Sequence, residues 1–522
     1  MLLLLALAAH AADPVACTAP AAQAAYSAGY AAQKARKPDE AMSAWTTCIA
    51  AEPGCTACWW EKGWTHWARD EWDPSIASWQ QVLAQDPAWP EATKWLDAAQ
   101  KRKSTFDSLP KPPPIGTTAT GGGVTLTLVA KFQGYKPATD SPKDVFDPAI
   151  YSPKSVRFLT DGSKAYVNSL EGFTTVVYDA NKLVKLGEIP HRFTAADKGL
   201  FSAPSAPFDY AWTHTAPGGN PDVFSGKPVE SELSHKDRWL WVPYYRRDFD
   251  SNGTSPSAVS IIDTRTDKIV RVIATGPIPK YVAVSPDDSR VAISHWGDNT
   301  VMMIDTSSGD PATFKVLPKL MVVEKQLPLS GVGEVDRDAA CGSCLRGTVF
   351  SPDGKTLLVA RMGDGGIAGF DTATGAYLGT ITGVKPTPRH LVVSLDKKWL
   401  YLSSNSSGYV SRIGLDAAIA GLRGANGAKV PLAGWEGVDV GTGARTIEIT
   451  DDGRWVFVAL NNTAELAVVD TRSMTVATRI RVDPYTVGLD ISPEGHRVWT
   501  TSQGRGSYGG NAVCVYDVTL PK

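Results

Sequence analysis

Five basic residues recur at one offset from a repeated turn. Lys154, Lys280, Arg346, Arg389 and Arg445 each stand five residues before the first residue of a Ser-Pro-Asp-Gly-like segment, and Val229 and Val487 hold that place in two further repeats. Cations that share an offset in a repeat come together when the repeats close into a ring. Two such charges ~8 Å apart repel by roughly 2 kcal/mol at an effective dielectric of ~20. The chemistry this predicts is recognition of an anion, unless carboxylates of the chain take up the charge. Glu230, Glu232, Glu448 and Asp490 are the internal partners at hand.

The second repeat departs most from its siblings. Glu230-Ser231-Glu232 replaces an apolar strand entry, and Tyr244, Tyr245, Arg246 and Arg247 leave its second strand. Aromatic and Arg side chains are frequent ligand anchors, and Trp296 and Arg361 hold equivalent loop positions elsewhere. His295 and His390, with Glu230 and Glu232, are the candidates for acid–base or transition-metal chemistry. The competing reading is that each histidine only hydrogen-bonds to its surroundings. Asp248, Asp250 and Asn252 match the first half of a calcium loop. Val259 stands where that loop needs a bidentate Glu, so an Asx-rich turn competes with calcium. No cofactor is assigned beyond these two metal options. G-x-S-x-G, H-E-x-x-H, a Walker loop and C-x-x-C-H are all missing from the sequence, which withdraws support from the enzyme classes they mark.

These residues ride on a β-meander repeat. The turns begin at Leu159, Ser234, Ser285, Ser351, Ser394, Thr450 and Ser492, each between two apolar runs of strand character. A strand-end Asp follows 20 residues after the first turn residue at Asp179, Asp305, Asp371 and Asp470; Gly414 holds that place in the fifth unit, and Asp263 and Asp517 arrive later. Seven such units over about 124–520 resemble the YVTN-type, lactonase-like propeller repeats of exported proteins. The fold expected is mainly β: a seven-bladed β-propeller over 124–522, with residues 124–133 supplying the outer strand that closes the last blade. Insertions at 191–227, 244–257, 319–345 and 503–511 are expected on one face, opposite the turns, and mark it as the functional face.

Residues 20–105 are Ala- and Trp-rich and show a 34-residue period: Gly29 and Gly63, Trp45 and Trp79, Pro53 and Pro87. This is similar to the tetratricopeptide repeat, which implies helix pairs that engage a protein partner. A Pro- and Gly-rich linker spans 106–123. Met1 to Ala11 read as a signal-peptide h-region with an Ala9-His10-Ala11 cleavage site, although no Lys or Arg precedes it. Export would place the protein in the periplasm, at the cell surface or outside the cell. Seven cysteines suit such an oxidising compartment. Their parity predicts two disulfides among Cys17, Cys48, Cys55 and Cys58, one at Cys341–Cys344, and a free thiol at Cys514. A zinc site joining the two C-x-x-C pairs is the alternative.

With 52 basic against 54 acidic residues, net −2, the 522-residue chain has no global pull toward nucleic acid. The reading is an exported propeller that binds an anionic small molecule, glycan or peptide, with helical repeats for a protein partner. The alternative is a lactonase-like hydrolase or lyase. Relatives of that kind place His, Glu or metal-bound groups at the channel mouth, which would make Glu230, Glu232, His295 and His390 its catalytic residues.

Overall fold

The computed structural model describes residues 17–34, 37–69, 71–108, 111–134, 141–201, 208, 224–247, 250, 252–331, 335–503 and 511–521. The expected signal segment, Asp248 and most of the insertions at 191–227 and 503–511 lie outside the described residues. The described chain divides into two compact units, helices up to residue 108 and sheets from residue 111 onward.

The first unit holds helices α1 (Pro20–Lys34), α2 (Pro38–Ala51), α3 (Thr56–Ala68), α4 (Trp72–Gln85) and α5 (Ala92–Ser108). Its 34-residue period has a steric meaning. A Cβ on Gly29 would lie 2.6 Å from the Trp45 ring, and one on Gly63 would strike the Trp79 ring. Each Gly therefore lets one helix lie against the buried Trp of the next. Trp45 donates to Thr65 (2.8 Å) and Trp79 to the Trp60 carbonyl (3.2 Å), so neither indole N–H is lost on burial. Disulfides join Cys17 to Cys55 and Cys48 to Cys58. The sulfurs of Cys55 and Cys58 are thus taken within this unit, and Cys341 pairs with Cys344, which overturns the zinc site joining the two C-x-x-C pairs.

The second unit is a seven-bladed propeller of antiparallel sheets. Blade one shows the pattern, with strands Pro153–Phe158, Lys164–Ser169, Thr174–Asp179 and Val184–Pro190 in order from the axis outward. Its inner strands are buried on both faces because each blade packs on two neighbours. The turns need a left-handed residue at their fourth position, and Gly162, Gly354, Gly453 and Gly495 supply it with φ of 69 to 73°. The strand-end Asp residues accept backbone N–H groups two or three residues on, as Asp179 does from Asn181 (3.1 Å) and Lys182 (2.8 Å).

In blade seven the strand Ala512–Thr519 pairs with Val124–Gln133, Leu126 opposite Val518 and Phe132 opposite Val513. This joins a strand from before blade one to the last blade, so the circle has no open edge. A buried ion pair, Lys131 with Asp483 at 2.6 Å, lies in this closure, and the free thiol of Cys514 donates to the same Asp483 (3.4 Å).

Contrary to the expectation from sequence, the insertions do not all lie opposite the turns. A fifth insertion leaves blade five after Gly414, on the turn face, as helix α6 (Leu415–Gly424). It buries Leu415, Ala418 and Leu422 and sends Lys429–Pro431 to pair with blade four. The insertions therefore do not single out one face.

Candidate functional site

The innermost strand of each blade carries a β-bulge at the position of the repeated cation. Pro153 pairs with Ser169 and Ser155 with Asn168, so Lys154 is an extra residue with no partner across the strand. Lys280, Arg389 and Val487 are skipped in the same way. In blades four and six the bulge takes in Arg346-Gly347 and Arg445-Thr446. Blade two sets Val229, Glu230 and Ser231 against Val242 and Pro243 alone. A bulge breaks strict alternation and re-aims a side chain, so the cation and the residue after it both turn toward the axis.

Five cations come to one end of the channel, each only 4% to 8% exposed. Lys154 lies 3.6 Å from Glu230. Burial, and then repulsion by Arg445, Arg346 and Arg389, holds the Lys154 ammonium well below the usual lysine range, with Glu230 opposing. Burial and the nearby Arg346 and Arg445 act on Arg389 in the same direction. Arg389 donates to the Met362 thioether at 3.1 Å. Burial would raise the Glu230 carboxyl, but Lys154, Arg346, His390 and Arg389 together hold it below the ordinary range.

The next layer holds Tyr281 and His390, joined at 2.6 Å. Nδ1 of His390 accepts the Ile447 N–H (3.3 Å), which assigns the ring proton to Nε2 and makes Tyr281 the acceptor there. Burial pushes His390 down to about 4 and Tyr281 well up, so both are neutral at pH 7. The Tyr281 hydroxyl proton is left to point at another acceptor. Tyr281, His390, Glu230, Ser155, Thr446 and Glu448 line a void of about 20 Å³, room for about one water.

Deeper still lies a second ring, of which the sequence reading named Glu232, Glu448 and Asp490 as counter-charges but missed Arg157 and their shared offset. Two residues before each turn stand Arg157, Glu232, Glu448 and Asp490, with Ala283, Val349 and Val392 in the other blades. Arg157 binds Glu232 at 2.8 Å and lies 3.9 Å from Asp490. Burial raises the Glu448 carboxyl to about 8, and it raises Asp490 as well. Reading the same repeat three residues further along would have found Arg157 and that offset. Glu232, Asp490 and, more weakly, Glu448 therefore act on Arg157.

The family described as lactonase, 7-bladed beta-propeller, matches residues 246–505, which include the innermost strands of blades three to seven. Over those residues the propeller is similar to that family. No curated protein matches the chain. Similar solved structures include Kuenenia stuttgartiensis hydrazine synthase, 15% identical over 74% of this chain and 100% of that one, with a TM-score of 0.47. The Cps50 (Swd1) β-propeller domain of Myceliophteria thermophila is 14% identical over 71% of this chain and 97% of that one, also at 0.47. Likeness at that level does not bear on what this chain does.

The propeller engages one of its five cations with its own loop. Asp338, in the insertion between blades three and four, accepts from Lys280 (2.9 Å) and from the Tyr245 hydroxyl (2.6 Å). Burial would raise its carboxyl, but Lys280 and the Tyr245 hydroxyl hold it well below the ordinary range. Trp296 donates to the Asp338 carbonyl at 2.9 Å and stacks near Lys280 and Arg346, 4.7 and 5.6 Å from the ring centre. Arg246 lies 3.4 Å from Asp336 and 3.5 Å from Asp338. The Cys341–Cys344 disulfide staples the end of this loop. Lys280, Tyr245, Arg246 and Trp296 therefore hold the loop, and a ligand would meet them only alongside Asp338.

Other expected site residues are structural. Tyr244 is buried among Phe193 and Phe224, its hydroxyl 2.9 Å from His191. Arg361 is buried against Asp364 and Glu324. His295 accepts the Gly276 N–H (3.1 Å) and meets Thr300 at 2.7 Å, so both ring nitrogens are used and it does not line the void beside His390. Arg247 is buried at the end of its strand, where its charge draws on Asp250. The Asp250 carboxylate accepts the Gly253 N–H at 3.0 Å, the Asn252 backbone carbonyl accepts the Arg337 backbone N–H at 2.7 Å, and Val259 is buried in a strand. Among the described residues Asp250 serves as a turn acceptor, and Val259, at the place of the bidentate Glu, lies in a strand.

Proposed function

We propose that this propeller binds an anionic ligand at its channel mouth, with Lys154, Arg346, Arg389 and Arg445 as the cationic contacts. The observation that carries the reading is convergence: four buried cations from four blades meet at one end of the axis, around the carboxylate of Glu230. A phosphate, carboxylate or acidic sugar entering there relieves their mutual repulsion, and Arg side chains suit such planar or tetrahedral oxyanions. Tyr281 adds a neutral hydroxyl donor below. Export to an oxidising compartment and contact of the helical unit with a protein partner belong to the same proposal. The disulfides and the Gly–Trp helix pairs support those two parts.

The second reading is a lactonase-like hydrolase or lyase. Its support is the family match together with cations positioned to stabilise an oxyanion. Neutral His390, with both nitrogens engaged, and neutral Tyr281 are poor bases as they stand, so Glu230, held ionised by the surrounding cations, is the group placed to move a proton.

Melting the protein against phosphates, carboxylates, acidic sugars and lactones tests both. A ligand at 100 times its dissociation constant stabilises by about 2.7 kcal/mol. Arg389→Met and Arg445→Met should abolish that gain and leave the free protein no less stable, since each removes a repelling charge. If no anion shifts the wild type, or both variants respond like it, anion recognition is refuted. Turnover of a lactone lost in Glu230→Gln would favour the enzyme.

A further inference from the structure

We infer that Cys17, Cys48, Cys55 and Cys58 form a redox-gated thiolate site for one divalent metal of zinc type, closed as two disulfides when oxidised and open to the metal when reduced. The inference is independent of the channel and of the proposed export: the disulfides persist in an oxidising compartment, and the open state forms where a dithiol reductant reaches the chain. All four sulfurs are buried and lie within 4.8 Å of one another. Besides its bond to Cys55, Cys17 Sγ stands 3.5 Å from Cys58 Sγ and 3.8 Å from Cys48 Sγ. A tetrahedral zinc with ~2.3 Å bonds to four sulfurs requires edges of about 3.8 Å. The two contacts that Cys17 makes across the pairs are already close to that length, and no two of the four sulfurs are more than 4.8 Å apart, so reduction needs only small shifts to open the site.

The backbone favours thiolates here. Cys55 is the residue capping the start of α3, and Cys58 lies in its first turn, where free N–H groups and the helix dipole stabilise negative sulfur. Cys55 and Cys58 also have the C-x-x-C spacing of structural zinc sites. Cys48 comes from the last turn of α2, and Cys17 from the segment leading into α1, so the set ties three helices together. Its surroundings are apolar: Ala19, Ala22, Ala25, Tyr26, Ile49 and Ala57 pack against the sulfurs and restrict water.

The chemistry balances with a dithiol as reductant. Each disulfide takes up two electrons and two protons from one dithiol, which leaves as its own disulfide. Two equivalents give four thiols; a divalent ion then displaces four protons and forms a tetrathiolate of net charge −2. Metal replaces the two covalent staples, so the helices keep their arrangement in either state.

The test uses the full chain, reduced with excess dithiothreitol, freed of it without air, and titrated with cobalt(II) and then zinc. The expected result is one cobalt per chain with thiolate-to-metal charge-transfer absorption, displaced by one zinc, and no uptake by the oxidised chain. Cys17→Ser should weaken binding at least tenfold, whereas Cys341→Ser combined with Cys344→Ser should leave the titration unchanged. No cobalt uptake, or uptake unaffected by Cys17→Ser, overturns the inference. Should the reduced chain aggregate, production in a reducing cytosol with added zinc gives the second reading. One zinc per chain supports the site, and a folded chain without zinc overturns it.

Discussion

Replacing Asp338 with Ala removes the carboxylate that engages Lys280 while leaving the cation buried. At 2.9 Å and an effective dielectric of ~20, the pair attracts by about 6 kcal/mol before desolvation is subtracted. Stranding one partner of a buried pair costs about 3–5 kcal/mol. The Asp338 side chain is 28% exposed, so the low end applies, about 3 kcal/mol, which includes the hydrogen bond lost by Tyr245. For a unit of roughly 400 residues this is a fall of about 4 °C in melting temperature. The diagnostic variant is Asp338→Ala with Lys280→Met. If the cost arises from the stranded cation, the double variant recovers at least ~2 kcal/mol relative to additivity, because Met fills the space between Tyr245 and Trp296 without charge. Fluorimetric melting and urea titration of the four proteins complete the cycle. An additive cycle, or an Asp338→Ala protein as stable as wild type, would refute this account of the loop.

Three further outcomes follow from the geometry. Burial pushes His390 down to about 4, below its ordinary 6.5, so its contribution to stability is complete above pH 6.5 and is lost as pH falls through 4. His390→Asn, which keeps an acceptor for the Ile447 N–H, should flatten the urea-derived stability profile by up to about 1.4 kcal/mol per pH unit between pH 6 and 4.5; an unchanged slope would mean that His390 is already charged. Gly29→Ala places a methyl into the buried Trp45 ring and should destabilise the helical unit by about 1–3 kcal/mol, seen as an earlier helical transition by circular dichroism. A chain beginning at residue 134 lacks the strand that pairs with Ala512–Thr519 and should aggregate or melt lower than one beginning at 124, with equal melting temperatures as the contrary result.

The seven blades were readable because each carries its own local marks. A turn with a left-handed fourth residue and an Asp that binds the following amides act over two to five residues, within reach of pattern alone. The Gly–Trp period of the helices was visible as a repeat in the sequence, and its meaning, a ring filling the place of a side chain, became visible only once the helices were packed. The cation offset was visible too. Its direction was not, because the bulge that turns Lys154 and Arg389 toward the axis is a mismatch in pairing between two strands.

Partners distant along the chain lay beyond any pattern. Lys280 meets Asp338 58 residues away, and that contact, set by how a loop folds back, takes one cation out of the ring. His295 and His390 looked alike as isolated histidines; strand position put one against Gly276 and Thr300 and the other against Tyr281 on the axis. The four cysteines of the helices allowed three pairings, and only the meeting of three helices brought every sulfur within 4.8 Å of the others. Local sequence set the turns, strands and helices, because those forces act between near neighbours. Burial, pairing and charge balance are sums over the whole fold, and they exist only once the blades have closed.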